Sequence, residues 1–196
     1  MSFDDGIVLI TGASSGIGRE IAKQLANRAA TIIVVARRNN LLQELKQELL
    51  GMNPGLDVLI FPCDLSVLEE VENMSEKVLE QYGSVDFLVN NAGLGDIGIF
   101  SESSWEKNKQ LIDVNIVALT FLCRRFLPPM LSKGKGTILN VSSGFGLLWM
   151  PFFSSYVASK HYVSALTECL RAECVGTGVL ISQLCPGPVE TEFEEK

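Results

Sequence analysis

Ser143, Tyr156 and Lys160 lie within and around the stretch NVSSGFGLLWMPFFSSYVASK, which runs from Asn140 to Lys160. A hydroxyl, a phenol and an ammonium brought together can donate to one substrate oxygen and exchange a proton with it. Positions 156 and 160 fall about 40° apart around a helix axis, so the phenol and the ammonium share a face. A free phenol titrates near pH 10 and is a poor base at neutrality. An adjacent ammonium favours phenolate and moves the group toward acid–base work. Ser142 and Ser143 both end an apolar run, and either could supply the donor. His161, the one histidine, falls about 100° around the helix from Lys160 and reads as packing or surface.

These groups need a frame. Six short runs rich in β-branched residues read as strands buried on both faces: 7–11, 31–36, 56–61, 85–90, 137–142 and 179–184. Longer segments with helical spacing separate them. In the first, Ile21, Leu25 and Arg28 step along one side, with Ala22 and Ala26 beside them; the second repeats leucine at 41, 42, 45, 49 and 50. The third opens on Ser66 as N-cap, with Glu69 and Glu70 in its first turns. NPG at 53–55 and YGS at 82–84 stop two of these helices. Such alternation predicts one domain over residues 1–196: a doubly wound α/β fold, a parallel sheet with helices on both faces.

The first strand runs into TGASSGIG (11–18) and then a helix. Glycines at 12, 16 and 18 permit a tight turn and let backbone N–H groups approach a pyrophosphate at the helix N-terminus. TGxxxGxG, NNAG at 90–93, a serine thirteen residues before a tyrosine, and YVASK together resemble the short-chain dehydrogenase/reductase family. CDL at 63–65, Asn115 and PGPVET at 186–191 fit the same pattern, which spans nearly the whole chain in order.

The resemblance implies a Rossmann-type dinucleotide fold and an oxidoreductase that moves hydride, on the pro-S face, between a nicotinamide cofactor and a ketone or secondary alcohol. Its thirteen-residue interval selects Ser143 over Ser142 and makes Asn115, Ser143, Tyr156 and Lys160 the catalytic set. In the family, Asn115 bends its helix and holds a water in a relay to the lysine. Gly12, Ser14, Ser15, Gly16, Ile17 and Gly18 would cradle the cofactor. Asp64 would accept from the adenine amino group, with Leu65 nearby. Asn90 would brace the sheet, and Asn91, Ala92 and Gly93 would pass close to the cofactor. Tyr156 and Lys160 would also touch it, as would Pro186, Gly187, Val189 and Thr191 in the segment closing over the nicotinamide.

Cofactor choice follows from charge. A carboxylate about 20 residues beyond the glycine turn usually binds the ribose 2′-hydroxyl of NAD. Here the second strand ends in Ala36, Arg37 and Arg38. Guanidinium groups pair with a 2′-phosphate, which a carboxylate would repel. NADP is therefore expected, with Arg37 preferred as its partner. Arg38 reads equally well as a phosphate ligand or a solvated start to the second helix, and Arg19 as part of an exposed helix face.

Hydrophobic residues make up 47% of the 196, enough for a single core, and the net charge of −7 argues against a nucleic-acid surface. Five scattered cysteines and one histidine make a metal site improbable and suit reduced thiols in a cytoplasmic setting. The start MSFDDGIVLI does not read as a secretory signal, and no apolar run reaches the roughly 18–20 residues of a membrane span. The apolar insert FGLLWMPFF (145–153) either packs in a core or subunit contact or lines the pocket, which would give the carbonyl substrate an apolar body. Family members usually continue past PGPVET into a substrate-covering segment and a seventh strand. The resemblance therefore makes this chain, ending at Lys196, look C-terminally shortened, and it implies a homodimer or homotetramer through the fourth and fifth helices. A non-catalytic NADP-binding sensor is the alternative, and the intact Ser–Tyr–Lys set argues against it. A nucleotide-sugar epimerase would carry TGxxGxxG instead.

Overall fold

Six strands, β1 (Gly6–Thr11), β2 (Ala29–Ala36), β3 (Asp57–Pro62), β4 (Phe87–Asn90), β5 (Gly136–Val141) and β6 (Val179–Leu184), form one parallel sheet in the order β3-β2-β1-β4-β5-β6. The structure is a computed structural model that describes residues 5–187. All six sequence-predicted strands are present, with ends shifted by no more than two residues. Each reads as nearly continuous apolar sequence because helices cover both faces. Val8, Ile10, Ile32 and Val34 point to one side, where they pack with Leu42, Leu45 and Leu49 of helix α2 (Asn39–Met52) and Ala22 and Leu25 of α1 (Gly16–Leu25). Leu9, Ile33, Val35 and Leu88 point to the other. They meet α3 (Leu68–Tyr82), α5 (Leu119–Lys133) and α6 (Ser154–Glu173) through Val71, Met74, Leu122, Phe126, Met130 and Val163. Leu45 is wholly buried among α1, α2 and β2, and truncating such a leucine to alanine costs about 2–5 kcal/mol.

The order of strands reverses direction between β1 and β4, so loops leaving their carboxyl ends diverge and open a crevice there. Register carries Leu9 beside Leu88 and Asn90 beside Asn140. Buried Asn90 donates to Asn140 Oδ1 (2.9 Å), and Asn140 donates to Thr167 Oγ1 (3.0 Å), tying β4, β5 and α6 together under the crevice. The sheet-bracing expected of Asn90 has this form.

Two helix ends differ from the sequence reading. Helix α1 stops at Leu25, and the Arg28 N–H bonds back to the Leu25 carbonyl in a turn, so exposed Arg28 is not part of the helical stripe. Ser66 does not cap α3; Val67 occupies that position. Asp64 wins the serine instead, its Oδ1 accepting from Ser66 N–H (2.9 Å) and Ser66 Oγ (2.7 Å). A local side-chain turn has outcompeted the helix end. Gly83, at φ 70°, ends α3, and Asn53 follows the last residue of α2, in line with the stop signals.

Candidate active site

At the end of β1, Thr11 delivers the chain into the glycine turn. Gly12 adopts φ +66°, and a β-carbon on it would lie 2.8 Å from Ala92 Cα. The turn and the NNAG segment are thus in backbone contact, and only glycine fits between them. Asn91 locks the pair: its Nδ2 donates to the Thr11 carbonyl (3.0 Å) and the Gly12 carbonyl (3.2 Å). The Thr11 hydroxyl accepts from the N–H groups of Asn91 (3.0 Å) and Ala92 (3.1 Å) and donates to the Val89 carbonyl (3.3 Å), which uses its whole hydrogen-bonding capacity. Gly18 is buried on the inner side of α1, where a β-carbon would meet Asn91 Nδ2 and lie 2.6 Å from the Gly12 carbonyl oxygen.

Helix α1 opens on Gly16 with no acidic residue in its first turn, and the Ser15 side chain makes no capping bond to the backbone. Its amides and positive dipole end favour an anion. Arg38 reaches this turn: its Nη2 donates to Ser14 Oγ (3.2 Å) and Ser15 Oγ (3.0 Å). Arg37 is more exposed, with Nη1 4.0 Å from Asp64 Oδ2. Asp64 therefore has one oxygen held by Ser66 and the other turned toward Arg37, while Leu65 is buried in the core. Arg19 is not on an exposed face. Its guanidinium runs between α1 and α2, donating to Glu48 (2.6 Å) and to the Leu41 carbonyl (3.3 Å), because Glu48 and the opening of α2 offer more acceptors than solvent-facing α1 does.

Across the crevice, Ser143 leaves β5 in an extended conformation and begins a short 3-10 turn, Gly144–Gly146. Its Oγ accepts from Phe145 N–H (3.1 Å), and the hydroxyl is near enough to the Tyr156 phenol to pull that group's pKa down. Ser142 points the other way, donating to the Lys160 carbonyl (3.1 Å) and sharing a hydrogen bond with Ser164 (2.8 Å). Of the two serines, then, only Ser143 faces the phenol. Lys160 Nζ lies 5.7 Å from the Tyr156 ring centroid and donates to the Val141 carbonyl (2.9 Å). Gly93 abuts both sides: a β-carbon there would lie 3.4 Å from Lys160 Nζ and 3.5 Å from Asn115 Oδ1. The structure thereby joins the glycine turn, the NNAG segment and the Ser143–Tyr156–Lys160 cluster along the carboxyl ends of β1, β4 and β5.

Asn115 sits in a π-helical stretch, Asp113–Ala118, between α4 (Trp105–Ile112) and α5. The irregular turn matches the sequence expectation that its helix departs from regularity here. Asn115 exchanges two hydrogen bonds with the Leu94 backbone (2.8 and 2.9 Å), and its Nδ2 also reaches Ser159 Oγ (3.0 Å). Ser159 in turn donates to the Tyr156 carbonyl (2.7 Å). The side chain of Asn115 therefore holds the loop after β4 against the helix that carries the phenol and the ammonium.

Electrostatics here run against the simplest expectation. Burial raises the Tyr156 phenol above its ordinary range, and the Ser143 hydrogen bond only partly opposes this. Burial also pulls Lys160 down to about 8 from 10.5. The ammonium adjacent in sequence does not by itself produce a phenolate, because the same enclosure disfavours both charges.

Gly144 N–H donates to the Pro186 carbonyl (2.9 Å), which brings Pro186 of the segment leaving β6 next to the turn that Ser143 opens, while Gly187 has open space where a β-carbon would be. Val189 and Thr191 lie outside the described residues. In the apolar insert only Phe145 and Phe153 turn inward. Their rings lie 5.6 Å apart, and Phe145 meets Tyr156 edge-on at 6.4 Å. Leu147, Leu148, Trp149 and Phe152 are exposed, so this part of the insert is not core. Gly98 N–H donates to the Phe152 carbonyl (2.9 Å), linking the insert to a second exposed apolar loop that carries Ile97, Ile99 and Phe100. Sequence reading passed over Thr11 and Ser159 as site residues; the threonine before the first glycine was a usable signal, and Ser159 had none. His161 bonds within its own helix to the Val157 carbonyl.

The chain belongs to the short chain dehydrogenase family, whose profile matches residues 6–196. Among curated relatives, human dehydrogenase/reductase SDR family member 7 is 34% identical over 194 residues, covering 97% of this chain and 57% of its own length. This chain thus spans little more than half of that protein. Among solved structures, a short-chain dehydrogenase from Sphingobium yanoikuyae in complex with NADPH superposes with a TM-score of 0.90 at 31% identity, over 96% of this chain and 73% of that one. One from Burkholderia phymatum in complex with NAD gives 0.91 at 33% identity, over 100% and 70%. The structural neighbours thus include both NADP and NAD complexes, and the fold is that of nicotinamide-dependent Rossmann dehydrogenases.

Proposed function

We propose that the chain is the NADP-binding catalytic portion of an oxidoreductase that interconverts a ketone and a secondary alcohol. The observation that carries the reading is the convergence of Ser143, Tyr156 and Lys160 beside Gly93, on the same crevice as the glycine turn. The crevice suits a dinucleotide. Gly12 and Gly18 leave no room for a β-carbon, the α1 amides face the turn, and the arginines after β2 supply positive charge. Arg38, with Ser14 and Ser15, is the group best placed for a 2′-phosphate, and Arg37 stands beside Asp64 at the adenine end. Bound there, the nicotinamide supplies or accepts the hydride.

The chain's own residues then handle one oxygen and one proton. Ser143 donates to the substrate oxygen and stabilises its charge as hydride moves. Tyr156 gives that oxygen its proton in reduction and takes it back in oxidation. Lys160, held by the Val141 carbonyl, lends positive charge beneath the phenol and can hold ribose hydroxyls. Asn115 keeps the β4 loop and α6 in register. Phe145 and Phe153 border the phenol with apolar surface, which favours a substrate with an apolar body. A homodimer or homotetramer through α4 and α5 fits exposed Trp105 and Ile112 on α4 and Leu131 on α5, and five unpaired cysteine thiols fit a reducing, cytoplasmic setting.

NADPH oxidation across a panel of aryl and alkyl ketones tests the proposal. Tyr156→Phe should abolish turnover and leave NADPH affinity within about threefold, since the phenol contributes little to holding the dinucleotide. Tight NADPH binding without turnover by the wild type would instead identify a sensor.

A further inference from the structure

The Ser143 hydroxyl has one proton to give and two lone pairs with which to accept. One acceptor position is filled by Phe145 N–H at 3.1 Å, across the first turn of the 3-10 segment that Ser143 opens. Phe145 is fixed on both sides, by Phe153 at 5.6 Å and by the edge of Tyr156 at 6.4 Å, so its amide is not on a wandering loop. Gly146 closes the same turn against α6: a β-carbon there would meet Ser142 Oγ and lie 2.6 Å from Ser164 Oγ. The Pro186 carbonyl holds Gly144 N–H from the other side.

We infer that the main-chain amide of Phe145 is a positioning group for the reaction: it anchors the Ser143 oxygen and turns the hydroxyl proton toward the crevice. This rests on the proposed oxidoreductase reading and deepens it. Without the amide, the hydroxyl rotor has several staggered positions, and in some of them it accepts from Tyr156 rather than donating to the substrate. With the amide in place, the oxygen gives electron density to the N–H, and its own O–H becomes a better donor, as in any chain of hydrogen bonds. The first half of the apolar insert is therefore tied to both chemical groups, by its backbone to the serine and by its ring to the tyrosine.

The test compares two variants at one position. Phe145→Ala removes the ring and keeps the amide; Phe145→Pro removes both, and proline is tolerated in the first turn of a helix. Relative to Phe145→Ala, the proline variant should lose about tenfold in kcat with little change in ketone KM, a fraction of the loss from deleting an oxyanion donor outright. Its apparent pKa for alcohol oxidation should also move up. Equal kcat and equal pH profiles in the two variants would overturn the inference. If the proline variant fails to fold, judged by NADPH affinity, the decision passes to amide exchange of Phe145 in the wild type and in Ser143→Ala. Faster exchange in Ser143→Ala supports the bond, and unchanged exchange refutes it. Absence of any wild-type turnover would instead strike at the oxidoreductase reading itself, so the two failures are distinct.

Discussion

Gly18→Ala puts a methyl group where the structure has none to spare. The added carbon meets Asn91 Nδ2 and the Gly12 carbonyl oxygen, at 2.6 Å from the latter. Asn91 must then give up its bonds to the Thr11 and Gly12 carbonyls, each contributing about 1 kcal/mol. Crowding against a backbone carbonyl that cannot swing aside adds about 1–3 kcal/mol. Alanine returns up to about 1 kcal/mol of helix propensity. The net loss is about 2–4 kcal/mol, or roughly 4–16 °C in Tm for a chain of this length. Gly51 in α2 is the internal control. It has nothing within 4 Å of its would-be β-carbon, so Gly51→Ala should stabilise by up to about 1 kcal/mol. Urea unfolding followed by circular dichroism reads both. Asn91→Ala should relieve part of the Gly18→Ala penalty, giving a non-additive double mutant. A Gly18→Ala protein within 0.5 kcal/mol of wild type, measured against the about 2 kcal/mol expected, would refute the interlock between the glycine turn and NNAG.

Arg38→Glu should weaken NADPH binding by about ten- to a hundredfold, the worth of charge-assisted hydrogen bonds, while NADH changes little. Arg37→Glu should do less, and titration of both cofactors by fluorescence decides the ranking. Lys160, at about 8, binds its proton less tightly folded than unfolded, where the value is 10.5. The unfolded chain thus holds more protons between those values, and stability from this residue rises with pH across that window; its burial is a full cost below it. The stability of Lys160→Met relative to wild type should accordingly fall between pH 7 and pH 9.5 in paired urea titrations. Cys63 and Cys123 are buried and pushed up to about 12, whereas Cys169 is exposed. Iodoacetamide at pH 8 should label Cys169 at least about tenfold faster than either, as peptide mass spectrometry would show.

The strands were readable because burial on both faces leaves a period-free apolar signature, as in IVLIT and TIIVVA. Glycine and tyrosine–lysine spacings were readable because a turn or a helix fixes them locally. What escaped was long-range. Nothing near Asn91 in sequence says that its amide is spent on carbonyls eighty residues away, and nothing near Arg19 says that Glu48 lies within reach. Ser66 looked like a cap until Asp64, two residues before it, took the hydroxyl. The phenol's upward shift comes from its burial, with Phe145 against its ring, which spacing alone cannot convey.

The link between Thr11 and Asn91 also bears on synthesis. Parallel β1 and β4 can meet only once the two intervening strand–helix units have been synthesised, and closing so long a loop slows the contacts that depend on it. A ribosome-tethered chain that ends before Asn91 carries TGASSGIG without the partner that shapes it. Nucleotide capture should therefore begin abruptly as translation proceeds, once β4 has emerged and docked.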